Sequence, residues 1–206
     1  MRPFLLLLAA AAAPALAQSP ADSTALADDR ATWAPTAQGV RLLGGYAAAG
    51  GFNNGFSASL EPRVGRFVRD GLAVSAQVGV SGSRSSFTSV DLVDGVPRES
   101  EQRTRSVGVS FGPAVTQYFG GAGAAVYPFV GAAVYGDWSR SWSGVVGQPL
   151  NSGAYWGLSG SARAGVMVPV ARNVSIEAQV YGSVYDLDPR LDGNVGFSAG
   201  ISTFLY

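Results

Sequence analysis

The chain has 206 residues, 28 of them Gly, with no Cys, no His and a formal net charge of zero. All 14 basic residues are Arg, and charged residues make up 14% of the chain against roughly 25% in an ordinary soluble domain. These numbers exclude thiol nucleophiles, the common zinc sites and His-dependent triads, and they leave no net positive charge with which to bind nucleic acid.

The N-terminus reads as a targeting signal. Met1-Arg2 is a short basic start, Phe4 to Ala13 is an apolar run, and Ala15-Leu16-Ala17 fits a small-x-small cleavage pattern. The expectation is a secretory signal peptide over residues 1–17, since the apolar run is too short to span a bilayer as a helix. Residues 18–37 are polar and rich in Ala, Asp and Pro, and read as a periplasmic linker.

From about residue 39 the apolar pattern has period two. Leu72, Val74, Ala76, Val78 and Val80 alternate with Ala73, Ser75, Gln77, Gly79 and Ser81. Val107, Val109 and Phe111 alternate with Gly108, Ser110 and Gly112, and Val174, Ile176, Ala178 and Val180 with Ser175, Glu177, Gln179 and Tyr181. Sustained alternation marks strands with one apolar and one polar face. Eight such runs are expected, at 38–48, 56–69, 72–86, 104–119, 125–137, 154–169, 173–186 and 194–206. Short connections at 69–71, 120–124 and 170–173 alternate with longer polar ones at 49–55, 87–103, 138–153 and 187–193. The uncharged stretch Gly120–Gly136 reads as strand because of its Gly density and Pro128, with Val130, Ala132 and Val134 turned outward.

Alternation alone does not say which face is wet. A soluble lipocalin-like barrel has its apolar side chains inside; a membrane barrel inverts that order. The polar positions here are mostly Gly, Ser, Ala, Gln and Tyr, without the Lys and Glu of a solvated surface. Several runs exceed the roughly 9–11 residues that cross a bilayer. Phe67, Tyr118, Phe119, Trp138, Trp156, Phe204 and Tyr206 lie near run ends, as interfacial girdles would. The fold expected is therefore all-β: an eight-stranded antiparallel transmembrane β-barrel over residues 38–206. Arg41, Glu61, Arg63, Arg163 and Glu177 fall on the polar face and form the expected charge network of a side-chain-filled lumen.

The local words of the chain resemble the small outer-membrane β-barrels of the OmpA/OmpX type. Glu61-Pro62-Arg63-Val64-Gly65 through Arg69-Asp70-Gly71 to Val74 is similar to that family's second strand, turn and third strand. Phe111-Gly112-Pro113-Ala114-Val115 and Tyr127-Pro128-Phe129-Val130-Gly131 resemble its fourth and fifth strands. Ser161-Ala162-Arg163-Ala164-Gly165 and Val174 to Tyr181 resemble its sixth and seventh. The resemblance implies a monomer in the outer membrane, in contact with lipid and lipopolysaccharide. It also implies insertion by the outer-membrane assembly machinery through a C-terminal strand carrying Phe204 and Tyr206. Arg66 stands where the family has an aromatic. Val195, Phe197, Ala199 and Ile201 fall on the opposite face from Phe204 and Tyr206, which calls for a bulge or a different register in the last strand.

No catalytic residue, metal site or cofactor is expected. Lipid-modifying relatives of this fold use a His that the chain lacks, and the carboxylates Glu61 and Glu177 have Arg neighbours to neutralise them. Asp186, Asp188 and Asp192 crowd one loop, but Arg190 stands in a ligand slot and no Glu closes it. The loop Asp137–Trp142 offers Trp138, Arg140 and Trp142 for binding or for anchoring at lipid headgroups. The expected role is structural or surface-interacting through four external loops. The alternatives are a narrow, porin-like pore for ions or small solutes and, more distantly, a lipid-active enzyme.

Overall fold

The computed structural model describes residues 34–52, 54–93, 96–185 and 193–206. The expected signal peptide, most of the linker and the Asp186–Asp192 loop lie outside them. Eight antiparallel strands follow in order: β1 (Arg41–Phe52), β2 (Gly55–Arg69), β3 (Leu72–Val93), β4 (Val96–Tyr118), β5 (Tyr127–Val145), β6 (Asn151–Ala171), β7 (Val174–Tyr185) and β8 (Gly193–Leu205). Each pairs with its chain neighbours, and β8 pairs with β1 to close the ring. Closure leaves every backbone donor and acceptor along a paired rung satisfied, as a sheet in hydrocarbon requires.

The burial of the alternating residues decides which side is which. Val74, Val78, Val80, Val109, Phe111, Val130, Val134, Ile176 and Val180 are exposed on the outside. Ser75, Gln77, Thr116, Arg163, Ser175, Glu177 and Ser202 are buried inside. An exterior of Val, Leu and Phe around a polar interior is the reverse of a soluble sheet, and it suits lipid.

The strands differ in reach. The connections expected at 87–103 and 138–153 are largely strand: β3 and β4 stay in register out to Val93↔Val96, and β5 and β6 out to Ser143↔Asn151. The polar composition of those segments fits a loop equally well, because a hairpin that leaves the membrane is wet on both faces and loses its alternation. The wall from β3 to β6 is therefore tall, while β1 and β8 are short. Among the described residues, strand length rather than loop length distinguishes the two ends.

The last strand is regular, with neither bulge nor shifted register. Its pairs run unbroken from Arg41↔Leu205 to Ala47↔Ala199 on one side and from Val174↔Thr203 to Val184↔Gly193 on the other. Phe204 thus points into the barrel with Ser202, while Val195, Phe197, Ile201 and Leu205 point out. Phe204 joins Val40, Leu42, Phe67, Ala73, Tyr118, Tyr127, Phe129 and Met167 in an apolar core that fills the end where β1 begins and β8 stops. This corrects the expectation of an outer girdle for Phe67, Tyr118 and Phe204. Each shares the parity of a lumen residue on its own strand (Arg63, Thr116 and Ser202), and parity prevails over proximity to a strand end. Phe119 and Trp156 are exposed on the outside, and Tyr206, beyond the end of β8, is exposed. The segment before β1 folds across this end: Gly71 N–H donates to the Thr36 carbonyl at 2.8 Å, Gln38 N–H to Asp70 Oδ1 at 2.8 Å, and Thr36 is buried.

Candidate functional site

Above the aromatic core the lumen is filled by two Arg–Glu pairs. On the first side Arg63 of β2 forms a buried ion pair with Glu177 of β7. The same carboxylate accepts a hydrogen bond from Tyr46 Oη at 2.5 Å and another from Ser202 Oγ. Arg63 also donates to Tyr46 Oη at 2.6 Å and to Ser202 Oγ at 2.7 Å. Glu177 is fully buried, so its charge depends on these donors.

The second side joins Arg163 of β6 to Glu61 of β2 at 3.6 Å, and Arg163 donates to Thr116 Oγ1 at 3.1 Å. Gln77 of β3 sits between them. With its amide turned to satisfy both neighbours, its oxygen accepts from Arg163 at 2.7 and 2.9 Å, and its nitrogen donates to Glu61 Oε1 at 2.8 Å and Tyr135 Oη at 2.6 Å. Tyr135 Oη donates in turn to Glu61 at 3.1 Å.

Tyr46 links the two sides. The Arg63 guanidinium lies 4.7 Å from its ring centroid and that of Arg163 lies 5.6 Å away, both within cation–π range. The plug therefore spans β1, β2, β3, β4, β5, β6, β7 and β8 through Tyr46, Arg63, Gln77, Thr116, Tyr135, Arg163, Glu177 and Ser202.

Of the five charges expected to share the lumen, Glu61, Arg63, Arg163 and Glu177 meet there. Arg41 does not. It is exposed on the outer face of β1, one residue out of phase with the buried Leu42 and Tyr46. The Ala- and Gly-rich β1 alternates too weakly to reveal its phase by sequence. Removing Arg41 corrects the charge balance from three Arg against two Glu to two against two, and the plug is neutral.

Tyr46, Gln77, Thr116, Tyr135 and Ser202 are plug residues that sequence reasoning does not single out. Gln77 and Thr116 stand on the polar side of clear alternations, which is a usable signal. Tyr46 carries none. The carboxylates Glu61 and Glu177 each face a guanidinium of their own, an arrangement suited to holding strands together.

Trp138, Arg140 and Trp142 belong to β5 rather than to a loop, and all three share its outward phase. Trp138 packs beside Trp156 with ring centroids 6.3 Å apart. The Arg140 guanidinium lies 5.3 Å from the Trp142 ring and 3.5 Å from Ser152 Oγ. Trp138 stands eleven residues from Tyr127 along β5, about one bilayer crossing. Strand register sets Arg84 against Arg105 and Arg105 against Trp142 on the same outer surface.

No protein-family model and no curated protein sequence matches the chain. Among solved structures it is similar to a major outer membrane protein of Thermus thermophilus, at TM-score 0.54 and 13% identity over 80% of this chain and 99% of that one. The chain has the fold of the small outer-membrane β-barrels. The N-terminal β-barrel domain of Pseudomonas aeruginosa OprF gives TM-score 0.49 and 14% identity, covering 82% of this chain and 98% of that one. Ail, the attachment invasion locus protein of Yersinia pestis, gives 0.44 and 14%, covering 81% and 98%. Identities this low speak for the fold alone.

Proposed function

We propose that the protein is a non-catalytic barrel of the outer membrane, exported through its signal peptide, whose role is structural and surface-interacting. The observation that carries this reading is the neutral Tyr46–Arg63–Glu61–Arg163–Glu177 plug stacked on the apolar core. Together they occupy the lumen where a pore would need water, and they commit both candidate carboxylates to guanidinium partners. Side chains for contact are then those of the tall β3–β6 wall. Its outer rim carries Arg84, Arg105 and Arg140 beside Trp142, a combination that suits the phosphates of lipopolysaccharide above a Trp anchor. The barrel acts as a monomer, and the assembly machinery reads the C-terminal strand through the exposed Tyr206, with Phe204 serving the interior instead.

Planar-bilayer recording tests the closed lumen. The wild-type protein is expected to give no steady single-channel conductance, and the Arg63→Ala/Glu177→Ala variant to give measurable current. Steady conductance in the wild type that Gly165→Leu abolishes would establish a pore and overturn the proposal. Lipopolysaccharide binding is tested by co-sedimentation at low and high salt, with Arg84→Ser/Arg105→Ser/Arg140→Ser expected to bind more weakly. Equal binding by the triple variant removes that contact.

A further inference from the structure

The ring is closed, but its closing seam is short. β1 and β8 pair over seven rungs, from Arg41↔Leu205 to Ala47↔Ala199. A crossing strand needs about 9–11 residues. Beyond Ala47, β1 continues to Phe52 paired with β2 only, and β8 from Gly193 to Ser198 is paired with β7 only. Two strand edges thus face each other unpaired at the level of the outer leaflet, where unsatisfied backbone groups are costly.

A cavity of about 970 Å³ lies at this gap, at the upper end of the roughly 300–1,000 Å³ typical of small-molecule sites. Ala48, Ser59, Ser81 and Ser198 line it from the lumen side, and Leu60 and Phe197 from the outward side. Ala48 and Ala49 of β1 and Phe197 and Ser198 of β8 line it from the two sides of the gap. Val195 and Phe197 beside the gap are 78% and 77% exposed, more than any other large hydrophobic side chain among the described residues.

One polar group there lacks a partner. Gln179, 7% exposed, lines the cavity and donates to Ser198 Oγ at 2.9 Å, but its Oε1 is buried with no hydrogen-bond donor among the described residues. A buried amide oxygen left without a donor is destabilising, and a ligand bearing a hydroxyl or amide N–H would satisfy it.

We infer that the gap between β1 and β8 holds one acyl chain of an outer-leaflet lipid, with a hydroxyl or amide on the chain near its head meeting Gln179. The apolar lining takes the methylenes, the cavity is continuous with the lipid-facing surface, and the chain shields strand edges that the short seam leaves open. The site lies above the plug and is independent of what the rim binds.

The absence of cysteine permits a protection assay in phospholipid nanodiscs. Ala48→Cys reports from within the cavity and Gly153→Cys from the exposed start of β6, remote from the seam. Each is labelled with a water-soluble maleimide while 3-hydroxytetradecanoic acid or tetradecanoic acid is titrated in. Heat-modifiable gel migration confirms that every variant is folded. The hydroxy acid is expected to slow labelling of the Ala48→Cys variant saturably, at least tenfold, and to leave that of the Gly153→Cys variant unchanged. Adding Gln179→Leu to Ala48→Cys raises the half-protecting concentration of the hydroxy acid about tenfold, the worth of one buried hydrogen bond, and leaves that of tetradecanoic acid unchanged. Absence of protection in the cavity, or equal protection at position 153, overturns the site. Equal potency of the two acids, or indifference to Gln179→Leu, overturns the contact with Gln179.

Discussion

Replacing Glu177 by Ala is the most direct perturbation of the plug. The carboxylate is fully buried and accepts from Arg63, Tyr46 and Ser202. Its loss leaves the guanidinium of Arg63, itself 4% exposed, without a counter-charge. Breaking a buried pair in this way costs about 3–5 kcal/mol. The two hydroxyls recover part of their loss by turning toward other acceptors, so about 4 kcal/mol is expected, near a thousandfold in the folding equilibrium. Removing both partners is a different experiment. Arg63→Met/Glu177→Leu removes both charges of this pair and leaves neither partner uncompensated, and apolar replacement of a buried pair is often neutral or better. The double variant is therefore expected to be more stable than either single one, with a coupling of about 2 kcal/mol or more in a double-mutant cycle. Urea unfolding in phospholipid vesicles, followed by Trp fluorescence and heat-modifiable migration, gives all four stabilities. If the double variant costs the sum of the two singles, the pair does not act as a unit and the reasoning fails.

Three further substitutions and one control probe other layers of the structure by the same unfolding assay. Phe204→Ala empties a fully buried position in the apolar core and is expected to cost about 3–5 kcal/mol, whereas a small effect would return Phe204 to the outer face. Arg41→Ala, on the exterior, should change stability by no more than about 0.5 kcal/mol; a loss matching that of Arg63→Ala would place it back in the plug. Gly112→Ala would drive a Cβ into the Val134 carbonyl of the adjacent strand, a backbone atom that cannot move aside, and about 2 kcal/mol or more of destabilisation is expected. Gly153→Ala, with no neighbour within 4 Å, is the matched control and should be nearly neutral.

Period two in β3, β4 and β7 is strong enough to place their faces, and with them Gln77, Thr116 and Glu177. Gly and Ala give β1 no contrast between faces, and a single step of phase there exchanges Arg41 for Leu42 and Tyr46. The tall hairpins escape a sequence reading for a related reason: once both faces are in water, selection for alternation ends while the hydrogen-bond ladder continues. Aromatics mislead because the barrel has two places for them, the rim and the floor of the lumen, and composition does not separate Phe204 from Tyr206. The pairing of Arg63 with Glu177 and of Arg163 with Glu61 is beyond sequence because it depends on how far the strands stagger around the ring.

That pairing also constrains how the chain can enter a membrane. Arg63 and Glu177 are separated by 114 residues and Tyr46 and Glu177 by 131, so neither guanidinium finds its carboxylate in a hairpin or in half a sheet. An open, partly inserted intermediate would carry bare ions and bare strand edges into hydrocarbon at once, two penalties removed by one event, the meeting of β1 with β8. Insertion and ring closure are thereby bound into a single concerted step. The interior charges act as a lock that engages only when the last strand arrives.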